Sequence, residues 1–132
     1  LIREFHKEKE IIMGSFHQET LYEFRKVCPD VTTSTGPMEV VSFLLLGKTH
    51  LSETLSPIAT ALQVPEEAEI PIAGFRPVIQ VVNESFMKAA MKKNMAVQVW
   101  TVNEKDQMER LISLGVDGIM TDYPDRLIEL IK

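Results

Sequence analysis

Cysteine is nearly absent from this chain: Cys28 is the only one in 132 residues. One thiol can close no internal disulfide and supplies no thiolate metal cluster, so Cys28 reads as a small apolar filler near a helix end. Histidine is equally thin. His6, His17 and His50 are scattered, and none forms the H-x-x-x-H or H-x-H spacing that holds a metal. The glycines form neither a G-x-G-x-x-G fingerprint nor a phosphate-cradling loop, and Ser15 lacks the G-x-S-x-G elbow of a nucleophilic serine. No basic cluster builds a nucleic-acid footprint, and the net charge is −5. The longest apolar run, residues 40–46, is broken by Ser42 and falls far short of the roughly 20 residues of a membrane span. Tandem repeats and low-complexity segments are missing too. The chain opens on LIREFHKEKE, without an initiator Met and without the apolar core of a signal peptide, and reads as a piece cut from a longer protein.

What is present is alternation. Residues 1–9 read as the tail of a helix. Residues 10–15 form a short buried-strand candidate closing at Gly14. Residues 18–27 carry Leu21, Phe24 and Val27 or Cys28 on one helical face, and Pro29 stops them. Residues 31–35 are β-branched and end at Gly36-Pro37, which predicts a strand. Residues 40–61 read as helical, with a break near Gly47 and a turn at Ser56-Pro57. Residues 61–64 form a strand stopped by Pro65, residues 66–72 a loop, and residues 74–82 an extended or turn-rich stretch.

The last third is easier to read. Asn83 caps a helix with Phe86, Met87, Ala90 and Met91 as its apolar stripe. Residues 95–100 form a strand ending in Trp100. Asn103 then caps a helix with Asp106 in its first turn, Met108, Leu111, Ile112 and Leu114 facing inward, and Gly115 as a left-handed stop. Residues 116–121 form the last strand, and Pro124 opens a final helix whose buried face is Leu127, Ile128 and Ile131. Strands alternating with helices at short spacing predict a parallel sheet with covering helices. About five strands suit a small open sheet or half of a (β/α)8 barrel, which complete needs roughly 250 residues.

Trp100 is the leading site candidate. A rigid amphipathic ring at a strand end can wall a pocket for a small polyol, or it can simply close a barrel mouth. Asn103 and Asp122 read better as helix caps than as ligand contacts. Asp117, at the start of its strand, belongs on the stability face of a barrel. His17 reads as an exposed loop histidine, and the run Glu66, Glu67, Glu69 as a solvated acidic loop, since carboxylates bind a cation only when they converge in space.

Three segments carry a resemblance. Gly14-Ser15-Phe16 with the Leu21/Phe24/Arg25 helix, Ala61-Leu62-Gln63-Val64-Pro65, and above all VNESFMKAAMKKNMAVQVWTVNEKDQMERLISLGVDGIMTDYPDRL resemble the glycerophosphodiester phosphodiesterases. W-T-V-N followed by G-V-D-G-I-x-T-D-x-P at this distance is a specific combination. The resemblance implies an α/β fold, the C-terminal half of a TIM (β/α)8 barrel, with residues 1–132 a partial domain. It implies an enzyme cleaving glycerophosphodiesters to sn-glycerol 3-phosphate and an alcohol with a divalent cation, Ca or Mg. The family's two catalytic histidines, in H-R-G and H-D motifs, and its three carboxylate metal ligands come from the first half of the barrel, and those motifs do not occur here. This chain is accordingly expected to carry no catalytic residue and no metal ligand. By position, Trp100 matches the family tryptophan on the glycerol side of the pocket, with Phe16 its apolar neighbour.

The sequence departs from the family pattern in places. His17 stands where many relatives have Asp, and Met91-Lys92-Lys93 replaces a common His-x-x-Gly, with Asn94 able to adopt the left-handed conformation glycine would. The partners implied are the substrate, the missing N-terminal half-barrel and a second copy in a homo-oligomer, with nucleic acid disfavoured. A cytoplasmic location is favoured, with membrane association through segments outside this chain as the alternative. The competing functional reading is a non-catalytic half-barrel assembly module, because a half-barrel exposes two sheet edges.

Overall fold

The computed structural model describes residues 1–46, 59–69 and 74–132. The break expected near Gly47 and the turn at Ser56-Pro57 lie outside the described residues. The elements run β1 (Ile12–Met13), α1 (Gln18–Val27), β2 (Thr32–Thr33), α2 (Pro37–Leu46), β3 (Ala61–Pro65), β4 (Glu67–Glu69), β5 (Val78–Gln80), α3 (Glu84–Lys92), β6 (Ala96–Trp100), α4 (Lys105–Leu114), β7 (Gly118–Ile119) and α5 (Pro124–Leu130).

β1 pairs parallel with β2, and β3, β6 and β7 form a second parallel sheet in that order. A single parallel bridge, Ser34 to Ala61, joins the two pieces, so the described parallel strands make one arc, β1-β2-β3-β6-β7. The longest ladder is β3–β6, registered Ala61 to Ala96 through Pro65 to Trp100. Because side chains alternate across a strand, this register sorts the residues onto two faces. Leu62, Val64, Val97 and Val99 point to the helical layer and are fully buried, where they join Phe86, Ala90, Met108 and Leu111 in one core. Gln63, Pro65, Gln98 and Trp100 share the opposite, concave face.

Several local signals act as the sequence predicts. Asn83 Oδ1 accepts from the Phe86 N–H at 3.1 Å and caps α3. Gly115 takes φ +79° and its N–H reaches the Leu111 and Ile112 carbonyls, ending α4. Asn94 adopts φ +53°. Pro124 sits in the first turn of α5. Asp117 exchanges bonds with Val97 just before β7: its N–H donates to the Val97 carbonyl, and its Oδ2 accepts the Val97 N–H, both at 2.8 Å.

Other expectations are corrected. The first residues are turns rather than a helix, and His6 at φ +53° interrupts any helical run. The acidic stretch is only partly a loop: Glu67–Glu69 pairs antiparallel with β5. Glu66 is not free in solvent, since it holds Arg110 of α4 in an ion pair. Helix α2 starts at Pro37, ahead of residue 40, because Glu39 folds back to accept the Gly36 N–H at 2.6 Å. Ile112 and Met91 face solvent, one helical step beyond the rows that reach the core. In α5, Leu127 and Leu130 pack inward while Ile128 and Ile131 are exposed.

Candidate functional site

The C-terminal ends of the parallel strands converge on one cavity of about 560 Å³. β1 runs into Gly14, Ser15 and Phe16, β2 into Ser34 and Thr35, β3 into Pro65, β6 into Trp100, and β7 into Met120; all of these line it. The structure thus brings together Phe16 and Trp100, which lie 84 residues apart in the chain. Their rings meet edge to face, centroids 5.5 Å apart and planes at 84°. Phe16 is 75 % exposed and Trp100 half-buried, so the pair forms a free-standing aromatic wall rather than part of the core. Such rings offer a flat apolar surface at low entropic cost.

The local chemistry explains how each ring is held. After β1, the Ser15 Oγ accepts the His17 N–H at 3.0 Å, which turns the chain into α1 and leaves Phe16 outside. Phe16 sits directly before His17, the N-cap residue of α1, whose side chain makes no capping bond and is exposed. At the other wall, Trp100 ends β6 opposite Pro65, and the peptide joining it to Thr101 is cis.

The concave face below the rings is polar and uncharged. Gln63 Nε2 donates to Gln98 Oε1 at 2.8 Å across the β3–β6 ladder. Both glutamines need glycine neighbours. A Cβ on Gly14 would stand 2.7 Å from Gln63 Oε1, and one on Gly118 would stand 3.2 Å from Gln98 Cγ. Sequence reasoning passed over Gln63 and Gln98. The signal was there: each is the one polar residue inside an otherwise apolar strand, and each has apolar neighbours on both sides that point the other way.

Asn103 and Asp122 do not cap helices. The N-cap residues are Glu104 for α4 and Tyr123 for α5, and neither makes a side-chain capping bond. Asn103 Oδ1 accepts from Thr121 Oγ1 at 3.1 Å and from the Asp122 N–H at 3.0 Å, and its Nδ2 donates to Asp122 Oδ2 at 3.0 Å. The spacing that suggested a cap is real, but Thr121 and Asp122, just beyond β7, outcompete the helix end for the amide.

Behind the cavity, Arg25 of α1 donates to both Glu39 oxygens, to Thr33 Oγ1 and to the Ser34 carbonyl. Burial pushes the Glu39 carboxyl up, but the Arg25 guanidinium and the Gly36 N–H outweigh it and hold the group below the ordinary carboxylate range. This cluster fixes the loop that carries Ser34 and Thr35.

Among the described residues, the cavity lining carries no ionisable side chain. Among the described residues, no group of three or more His, Cys, Asp or Glu is placed to hold a metal ion. The described side chains around the cavity are therefore suited to bind and orient a ligand, and by themselves do not make up the ligand set of a divalent cation. No helix among the described residues is long and apolar enough to cross a membrane.

An arc of parallel strands, helices on one face and a cavity at the C-terminal strand ends define an α/β barrel half. Residues 2–126 match the model of the glycerophosphoryl diester phosphodiesterase family, and the chain belongs to that family. A glycerophosphodiester phosphodiesterase of Bacillus altitudinis is 27% identical over 131 residues, which cover 98% of this chain and 46% of that protein. The solved glycerophosphodiester phosphodiesterase of Parabacteroides distasonis superposes with a TM-score of 0.66 at 22% identity, over 98% of this chain and 46% of that one. An Oleispira antarctica phosphodiesterase, solved with the product sn-glycerol-3-phosphate, superposes with a TM-score of 0.60 at 15% identity, over 91% of this chain and 41% of that one. At these identities the solved structures speak to fold, and the fold is half of a TIM barrel, as the sequence predicts. The chain spans less than half the length of these relatives.

Proposed function

We propose that this chain is the pocket-wall half of a phosphodiesterase domain that hydrolyses glycerophosphodiesters to sn-glycerol 3-phosphate and an alcohol. The observation that carries the reading is the Phe16–Trp100 ring pair standing at the head of an uncharged cavity on the strand ends. The ring faces would take the carbon side of the glycerol moiety, and the amide of Gln63 on the cavity floor would meet its hydroxyls. This is orientation, which can contribute several orders of magnitude to a rate without any proton moving. The proton-transfer groups and the ligands of the divalent cation belong, on this reading, to the part of the domain that this chain does not contain. The product complex of the Oleispira relative supports the same substrate class.

The test has two arms. The 132-residue chain alone, given glycerophosphocholine with Ca or Mg, should release no glycerol 3-phosphate; robust turnover would overturn the reading. In the intact protein, Trp100→Ala should lower kcat/KM by about 10- to 100-fold through misplacement of the substrate. Cation affinity should stay unchanged, and its loss would show that Trp100 has been given the wrong role.

A further inference from the structure

We infer that Asn103 is a positioning residue for Trp100: its side chain continues the β6–β7 ladder where the backbone leaves it and so fixes the wall of the cavity. The last regular rungs are the Met120 N–H to the Val99 carbonyl at 2.9 Å and the Val102 N–H to the Met120 carbonyl at 3.0 Å. Trp100 lies between them. Past Val102 the two chains diverge toward α4 and α5, and two free strand ends would splay. Asn103 prevents this by standing in for a backbone unit. Its amide oxygen takes the Asp122 N–H, as a carbonyl in a ladder would, and also the Thr121 hydroxyl. Its amide nitrogen returns a bond to Asp122 Oδ2. The Asn103 carbonyl in turn accepts from Arg126 NH1 at 2.7 Å, and that guanidinium lies 4.1 Å over the Tyr123 ring. The segment carrying Trp100 is thus pinned at both ends, and Met120, its neighbour across the cavity wall, is pinned with it. The consequence for turnover rests on the proposed role of Trp100; the placement itself does not.

Trp100 is the only tryptophan in the chain, so its fluorescence reports the wall directly and without ligand. Asn103→Ala should leave the far-UV circular dichroism unchanged. It should raise acrylamide quenching of Trp100, through a roughly fivefold larger population of the opened rim, the ratio one net hydrogen bond sustains. The exchange Asn103→Asp with Asp122→Asn keeps every donor facing an acceptor and should restore the parent quenching. Lys105→Met, which breaks the nearby Lys105–Glu129 ion pair between α4 and α5, should leave Trp100 alone. Unchanged quenching in Asn103→Ala overturns the inference, as does failure of the exchange to rescue or an equal effect of Lys105→Met. Should Asn103→Ala lose its far-UV signal, Thr121→Val removes one of the three Asn103 side-chain bonds, together with the bond the same hydroxyl accepts from the Tyr123 N–H; a smaller rise there supports the inference and none overturns it. Failure here leaves the substrate reading standing, because that is read by product release.

Discussion

Glu39 shows what a single side chain can hold together. Its two oxygens accept from Arg25 NH1 at 2.6 Å, from Arg25 NH2 at 3.1 Å and from the Gly36 N–H at 2.6 Å. The pair is mostly withdrawn from solvent, with 11% and 23% of the Arg25 and Glu39 side chains exposed. Since the folded-state carboxyl titrates below its ordinary value, its ionised form favours the fold at neutral pH. That contribution is present above the unfolded glutamate pKa of about 4.3 and is lost as pH falls through the lower folded value. Glu39→Gln should therefore lower stability at pH 7 and flatten the acid limb of a stability-against-pH curve from urea unfolding. A limb identical to the parent's would show that Glu39 does not carry it. None of this was legible in the sequence, where Arg25 and Glu39 stand fourteen residues apart on separate helices. The place of Trp100 at a strand end was legible, because the apolar run before it is a local signal. Phe16 needed the resemblance, and its ring contact needed the fold.

Helix α4 separates what pattern reveals from what only packing decides. Met108 and Leu111 are fully buried, whereas Ile112, with the same hydrophobicity, is 37% exposed. Leu111→Ala should cost about 2–5 kcal/mol, from lost transfer energy and the cavity left behind. Ile112→Ala should stay within about 0.5 kcal/mol, as for a surface change. Urea midpoints of the two variants check the contrast, and equal losses would mean that the helix is rotated from the orientation described. The helix itself was legible from its spacing and from Gly115, both local features. Its cap was misread because Asn103 bonds across to Thr121 and Asp122, just beyond β7. The β4–β5 pairing was read only by half: residues 74–82 were expected to be extended, as β5 is, but Glu67, Ala68 and Glu69 show no apolar alternation and read as a loop. The pairing itself left no mark in the β4 segment.

At the scale of the whole molecule, the arc of described parallel strands is open. Among the described strands, β1 pairs only with β2 and β7 only with β6. Unpaired strand edges invite another chain. The isolated 15.0 kDa chain should accordingly self-associate, with sedimentation velocity showing species larger than the monomer. A clean monomer at high micromolar concentration would count against the alternative reading of a pairing module and leave the pocket-wall reading intact. Parallel strands with covering helices were legible from alternation alone, and the family from W-T-V-N with T-D-Y-P. The seam inside the sheet was not. β3 and β6 are registered along their full length, but β2 meets β3 through one bridge. Among the described residues, the backbone hydrogen bonds across that seam run from Thr35 N–H to the Ala61 carbonyl at 2.8 Å and from Thr60 N–H to the Thr33 carbonyl at 3.3 Å. Phe16 rides on one side of this seam and Trp100 on the other. The edge-to-face contact of the two rings is therefore itself a tie across the seam, and a molecule lying against both would hold the two halves of the arc in one register.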